Sequence, residues 1–176
     1  MRPVPIATLG PPGFRSTLNL ATAPGCGTAK FIPEGAVALS RVEWAPGDDN
    51  PAAASAAVIE KAGPRERLYF DPKRTRAAVV ACGGLCPGIN NVIRSLFLEL
   101  FYGYGVPEVL GVRDGYLGLD PEGGRPPVPL SLAYVSKIHQ EGGTVLGSSR
   151  GPHDVKVMVD TLVRHGVDLL FCVGGD

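Results

Sequence analysis

Charge of one sign is missing from this chain. Its 17 Lys and Arg balance 17 Asp and Glu over 176 residues, so neither nucleic acid nor an anionic membrane is an expected partner. Long hydrophobic runs are missing too. None approaches the ~18 apolar residues of a membrane span. The start, Met1-Arg2-Pro3-Val4-Pro5, leads into no apolar stretch of the kind a secretory signal needs. Cysteine is scarce: Cys26, Cys82, Cys86 and Cys172 show no C-x-x-C spacing, and no clustered histidine joins them. They are read as reduced, small packing residues, with a cytoplasmic location expected. The three histidines, His139, His153 and His165, fall on expected helix ends and surfaces, and none is assigned to catalysis.

What the chain has in quantity is glycine (24 residues), proline (17) and an apolar fraction of 44%, enough for the core of one domain. The organising stretch is Ala77 to Phe101. Ala77 to Ala81 is a short apolar run suited to a strand buried on both faces. Cys82-Gly83-Gly84-Leu85-Cys86-Pro87-Gly88 is a tight turn. From there Ile89, Val92, Ile93, Leu96 and Leu100 recur at helical spacing and predict a helix ending near Gly103 or Gly105. In an open α/β sheet such a loop lies at the carboxyl end of a strand, where ligands bind. Glycines let a ligand approach the backbone, and a new helix offers free N–H groups to an anion. A phosphate site follows, although a turn with glycines used only for packing has the same appearance. The loop holds no G-x-G-x-x-G. Gly83 and Gly88 have the offset of a P-loop, but Ile89-Asn90 stand where Lys-Ser/Thr is required.

Residues 1–62 are read as an extension, partly irregular, with a short strand at Val37 to Val42 and a helical turn or two at Ala53 to Lys61. Residues 63–176 are read as an α/β domain. In it, Val106 to Val112 is a second strand, and Gly111 to Asp120 a loop carrying Tyr116. Pro121 to Pro129 is a proline and glycine loop expected to vary. Leu132, Val135 and Ile138 mark a short helix ending at Gly142-Gly143. Thr144 to Leu146 is a brief strand. Val155, Met158, Val159, Leu162 and Val163 form an amphipathic helix stopped at His165-Gly166. Val167 to Val173 is an apolar strand. Alternating strands and helices predict a mostly parallel sheet with helices on both faces.

Four segments in order resemble the signatures of the 6-phosphofructokinases: Gly83-Gly84-Leu85-Cys86-Pro87-Gly88-Ile89-Asn90, Asp114-Gly115-Tyr116-Leu117-Gly118-Leu119, Gly142 to Gly151, and Gly174-Gly175-Asp176. The Leu85-Cys86 version of the first loop, with Gly63-Pro64-Arg65 and Leu68-Tyr69-Phe70-Asp71-Pro72 before it, is similar to the plant-type and related bacterial branch. The resemblance implies transfer of phosphate from ATP to the 1-hydroxyl of fructose 6-phosphate, with Mg²⁺ as cofactor and a homo-oligomer when complete. It implies that Gly84 sets its backbone beside the donor phosphates and that Arg150 and Gly151 lie against the nucleotide. Gly175 and Asp176 would line the donor phosphates, with Asp176 on the metal. Arg150 as a solvated surface residue and Asp176 as a helix N-cap are the plain alternatives. Tyr116 is read as loop packing, with an adenosine contact as its rival.

The family's catalytic base, in a Thr-Ile-Asp-type motif, and its sugar-phosphate arginines are absent from these residues, so no catalytic residue is assigned. By this resemblance residues 63–176 are expected to be an incomplete nucleotide-binding α/β domain, and the chain a fragment or truncated product, inactive alone. Rival readings are a degenerate nucleotide-binding subunit, a pyrophosphate-dependent phosphofructokinase, or a NAD or diacylglycerol kinase, which share the Gly-Gly-Asp turn only. The shorter bacterial enzymes of the family place two arginines one helical turn apart after the first loop, as part of an effector site. Here Arg94 matches the first and Leu98 replaces the second.

Overall fold

A computed structural model describes residues 9–22, 29–39 and 58–174. The chain divides into two compact units, Met1–Phe70 and Asp71–Asp176. In the first, β1 (Phe14–Arg15) pairs antiparallel with β4 (Arg67–Leu68), and β2 (Val37–Leu39) with β3 (Val58–Glu60). The helical turn expected up to Lys61 is therefore a strand over Val58–Glu60, where two β-branched residues favour extended backbone. Residues 53–57 and 40–42 of the two expected elements lie outside the described residues. Arg65 ties this unit together, donating to the carbonyls of Ile32, Pro33 and Lys61 and to Glu60 Oε1.

In the second unit one sheet has the order β7-β6-β5-β8, built from β5 (Arg76–Ala81), β6 (Glu108–Val112), β7 (Val128–Pro129) and β8 (Leu169–Val173). β5 pairs parallel with both β6 and β8, with Val79 opposite Gly111 on one side and Phe171 on the other. Only the two-residue edge strand β7 runs antiparallel. The sheet is thus mixed but mostly parallel.

β5 sits at the centre because its residues bury on both faces. Ala77, Val79 and Ala81 join Ile89, Ile93 and Phe97 of helix α1 (Ile89–Leu98) in one apolar cluster. Ala78 and Val80 face Leu119 and the half-buried Met158 and Leu162 of helix α3 (Val155–Arg164) in another. An uninterrupted apolar strand is the pattern for a sheet covered on both sides. α1 continues as a π-helical turn, Glu99–Tyr104, and stops at Gly105 in the left-handed conformation, the later of the two ends expected. α3 opens on Asp154, whose carboxylate accepts the amides of Lys156 and Val157.

Three local expectations change. The short helix is split into α2 (Leu132–Val135), capped by the Ser131 hydroxyl, and a 3-10 turn at Ile138–Gln140. The Gly111 to Asp120 loop contains a 3-10 helix at Gly115–Leu119. Thr144 to Leu146 is a turn and not a strand. The Val145 amide bonds a side chain, Asn90 Oδ1, and the Leu146 carbonyl accepts the amide of Asp114, so no strand ladder takes these groups. On α3, Met158 and Leu162 face the sheet while Val155, Val159 and Val163 are exposed. No helix among the described residues is long and apolar enough to cross a membrane.

Candidate active site

At the end of the sheet where β5 and β8 finish, a pocket of about 500 Å³ is lined by Cys82, Gly83, Tyr116, Ser149, Arg150, Gly151 and Gly174. These residues come from four loops that are distant in sequence. The loops meet because β5, β6 and β8 lie side by side and end together, which is where ligands bind in open α/β sheets. The opposite end of β5 is held separately: Arg76 donates to Glu108 at 2.7 Å and to the His165 carbonyl, and its backbone pairs with Asp168.

The glycine turn and Arg150 meet directly. A Cβ placed on Gly84 would stand 2.9 Å from Arg150 Nη2, so the guanidinium lies over the bare backbone of that glycine. Arg150 is exposed, and among the described residues no carboxylate pairs with it. Its charge and planar donor fork stay available for phosphate oxygens. α1 starts from Gly88 with no side-chain cap and no acidic residue in its first turn. The open amides of that turn favour an anion.

Two loops fix Arg150 from behind. The Asp114 amide donates to the Leu146 carbonyl at 2.7 Å, and the Leu117 amide to Ser149 Oγ at 3.2 Å. Gly115, at φ +61°, is packed so closely that a Cβ would lie 2.5 Å from the Ser149 amide nitrogen. Asn90, 2% exposed, reaches from the first turn of α1 to the same segment. Its Nδ2 donates to the Glu141 carbonyl at 3.0 Å and its Oδ1 accepts the Val145 amide at 2.9 Å. Asn90 stands where a P-loop has its Ser or Thr hydroxyl, and here it is a backbone clamp.

Tyr116 borders the pocket, half-buried, with its ring edge-on to His153 at 6.4 Å. Hydrogen bonding with the Cys172 thiol, then with that of Cys82, and then burial push its phenol above the ordinary value. The ring therefore stays neutral, a wall and not a charge. Cys82 is buried, with Sγ directed at the Gly174 carbonyl, while Cys86 and Cys172 are exposed. All three are free thiols, but only Cys82 fits the expectation of a packing residue. Cys26 lies outside the described residues.

Of the five positions read as nucleotide contacts, Arg150 and Gly151 line the pocket, and Gly84 lies next to Arg150. Gly175 and Asp176 lie outside the described residues. Among the described residues no group of three His, Cys, Asp or Glu side chains is arranged to hold a metal.

The phosphofructokinase family profile matches residues 76–176, more than half of the chain and all four motifs. This chain belongs to the phosphofructokinase family. The ATP-dependent 6-phosphofructokinase of Trypanosoma brucei brucei is 49% identical over 131 residues, 74% of this chain and 27% of that protein. That of Amycolatopsis methanolica is 52% identical over 118 residues, 67% of this chain and 26% of its own. ATP-dependent 6-phosphofructokinase 7 of Arabidopsis thaliana is 42% identical over 118 residues, 67% of this chain and 24% of its own. The chain thus spans about a quarter of the length of these curated relatives. Among solved structures, Pichia pastoris phosphofructokinase in the T-state matches 65% of this chain and 12% of its own, with a TM-score of 0.50 and 28% identity. A pyrophosphate-dependent phosphofructokinase of Marinobacter aquaeolei matches 57% of this chain and 26% of its own, with a TM-score of 0.51 at 18% identity, a likeness of fold alone.

Proposed function

We propose that residues 63–176 form the donor-binding front of an ATP-dependent 6-phosphofructokinase, with residues 1–62 as an extension. In the whole enzyme this segment would help transfer the terminal phosphate of ATP to the 1-hydroxyl of fructose 6-phosphate, as a soluble cytoplasmic homo-oligomer. The observation that carries this reading is that Arg150, which lines the pocket, sets its guanidinium over the neighbouring Gly84. Phosphoryl transfer relies on positioning and on positive charge around the transferring group. A bare glycine backbone lets phosphate oxygens come close, and Arg150 neutralises charge beside it.

Donor and metal follow from the same chemistry. The relatives between 42% and 52% identical are named ATP-dependent, which supports ATP over pyrophosphate. The cationic, glycine-lined pocket fits the phosphates of a nucleotide. Mg²⁺ would be held by those phosphates and by Asp176, since hard cations take oxygen ligands, and when bound it would neutralise charge on the phosphate oxygens. Gly151 and Gly175 would border the same phosphates, and Tyr116 would wall the nucleoside side.

The test is a chimera in which residues 76–176 replace the matching segment of the Trypanosoma brucei brucei enzyme. Fructose 1,6-bisphosphate should form with ATP, and Arg150→Ala should raise the KM for ATP. A soluble, folded chimera that is inactive with ATP but active with pyrophosphate would overturn the donor assignment. A folded chimera indifferent to Arg150→Ala would overturn the site.

A further inference from the structure

The Pro121 to Pro129 loop, read from sequence as a stretch free to vary, sends one side chain back into the site's scaffold. Arg125 Nε donates to Asp114 Oδ2 at 2.6 Å and Arg125 Nη2 to Asp114 Oδ1 at 2.5 Å, a two-point fork. Asp114 is the one non-glycine residue with positive φ among the described residues, at φ 60° and ψ 36°. Aspartate tolerates the left-handed region better than most residues, but it is still uncommon there and is held by its surroundings. What holds it is visible. Its amide donates to the Leu146 carbonyl. Its Oδ1 lies where a Cβ on Gly147 would come within 2.8 Å. Its carboxylate is gripped by Arg125.

From this geometry we infer that Arg125 is a positioning residue, which keeps Asp114 left-handed and so fixes the loop from Leu146 to Arg150 that sets the Arg150 guanidinium over Gly84. The inference rests on the donor-site reading above for its functional consequence, but not for the clamp itself. The linkage is short. Asp114 bonds Leu146, the following Gly115 packs on the Ser149 amide, and the Leu117 amide bonds Ser149 Oγ. Each contact depends on the chain direction that Asp114 sets. The pair is partly exposed, with side chains 59% and 27% accessible, so its effect on global stability is small. Its directional fork fixes a conformation instead, which a lysine's point charge does not reproduce.

The experiment uses the full 176-residue chain and two readouts. Amide hydrogen exchange at Asp114 and Leu117 reports the clamp, and Mg·ATP titration reports the donor site. Arg125→Ala should speed exchange at both amides by about tenfold and weaken Mg·ATP by about tenfold. Arg125→Lys should recover only part of each, and Lys137→Ala, removing an exposed charge elsewhere, should change neither. Asp114→Asn keeps a residue that tolerates the left-handed region and should match Arg125→Ala, with the double variant no worse than either. Unchanged exchange in both Arg125→Ala and Asp114→Asn would overturn the clamp, whatever nucleotide does. Faster exchange with no nucleotide bound even by the unaltered chain would support the clamp and overturn the donor reading for this chain. Faster exchange with nucleotide affinity unchanged would overturn the link from the clamp to Arg150.

Discussion

Asn90 Oδ1 accepts the Val145 amide at 2.9 Å, joining the first turn of α1 to a loop 55 residues further on. The same carboxamide donates to the Glu141 carbonyl. The side chain is buried and both bonds are partly buried, so removing it leaves two backbone groups without that partner. Each group left unpaired costs about 1–3 kcal/mol. Asn90→Ala should therefore lower unfolding free energy by several times the usual effect of a surface change, measured by urea denaturation. Asn90→Asp keeps the acceptor but loses the donor to Glu141, and should destabilise as well. A loss no larger than that of an exposed substitution such as Lys137→Ala would show that the clamp does not hold the loop.

Gly84 should tolerate no large side chain in a working enzyme. A Cβ there meets the flexible end of Arg150 and no backbone atom within 4 Å. Gly84→Val should thus leave the fold intact while displacing the guanidinium and blocking the approach of phosphate to the backbone. In the chimera the KM for ATP should rise strongly, with the circular dichroism spectrum unchanged. Wild-type donor kinetics in a folded Gly84→Val protein would sink the assignment of this loop.

Much of the second unit was legible in sequence because its signals are local. The apolar run of β5, the helical spacing of α1 and the glycines closing α1 and α3 each report one element's own burial or end. What escaped was set by partners far along the chain. Thr144 to Leu146 reads as a strand by composition, yet its backbone groups go to Asn90 and Asp114. Arg125 sits among prolines and glycines that read only as loop, and its fork to Asp114 requires a turn no periodicity shows. On α3, three valines look like core by spacing, but only Met158 and Leu162 find the sheet.

The Asp114–Arg125 pair gives a pH signature. Hydrogen bonding from Arg125 holds the Asp114 carboxyl below its ordinary value. A carboxylate with a lowered folded pKa contributes stability above its unfolded value, about 3.9 for aspartate, and loses it as pH falls through the folded value. The stability difference between wild type and Arg125→Ala should be present, though small, at pH 7. It should shrink below about pH 4, and shrink also with added salt. Denaturation curves in parallel at neutral and acid pH check this. A difference that grows on acidification would contradict the lowered carboxyl.

Effector binding on α1 should be weak. Arg94 is half-buried with its Nε unpaired among the described residues, and Leu98, one turn on, packs against the apolar cluster. Residues four apart share a helix face, but here only one carries charge. Activation of the chimera by ADP should be slight and indifferent to Arg94→Ala. Tight ADP binding lost in that variant, with the donor site intact, would show a competent effector site.

Residues 1–176 taken alone should show no phosphofructokinase turnover. The groups proposed for the donor side would position and neutralise phosphate, but none of them is proposed as a base for a sugar hydroxyl, and the family's Thr-Ile-Asp-type motif is not in the sequence. Positioning without a base and an acceptor site leaves transfer without a route. The isolated chain should also self-associate. β8 pairs with β5 on one side only among the described residues, and an open strand edge invites pairing with another chain. Val155, Val159 and Val163 add an exposed apolar stripe on α3, spaced by four so that they line one face. Light scattering on the purified chain should show concentration-dependent oligomers, and Val159→Lys should shift them toward monomer by charging the centre of the stripe. A monomeric wild-type chain at high concentration would mean that the edge and the stripe are already covered, and turnover by the pure chain would mean that catalytic groups lie within these residues.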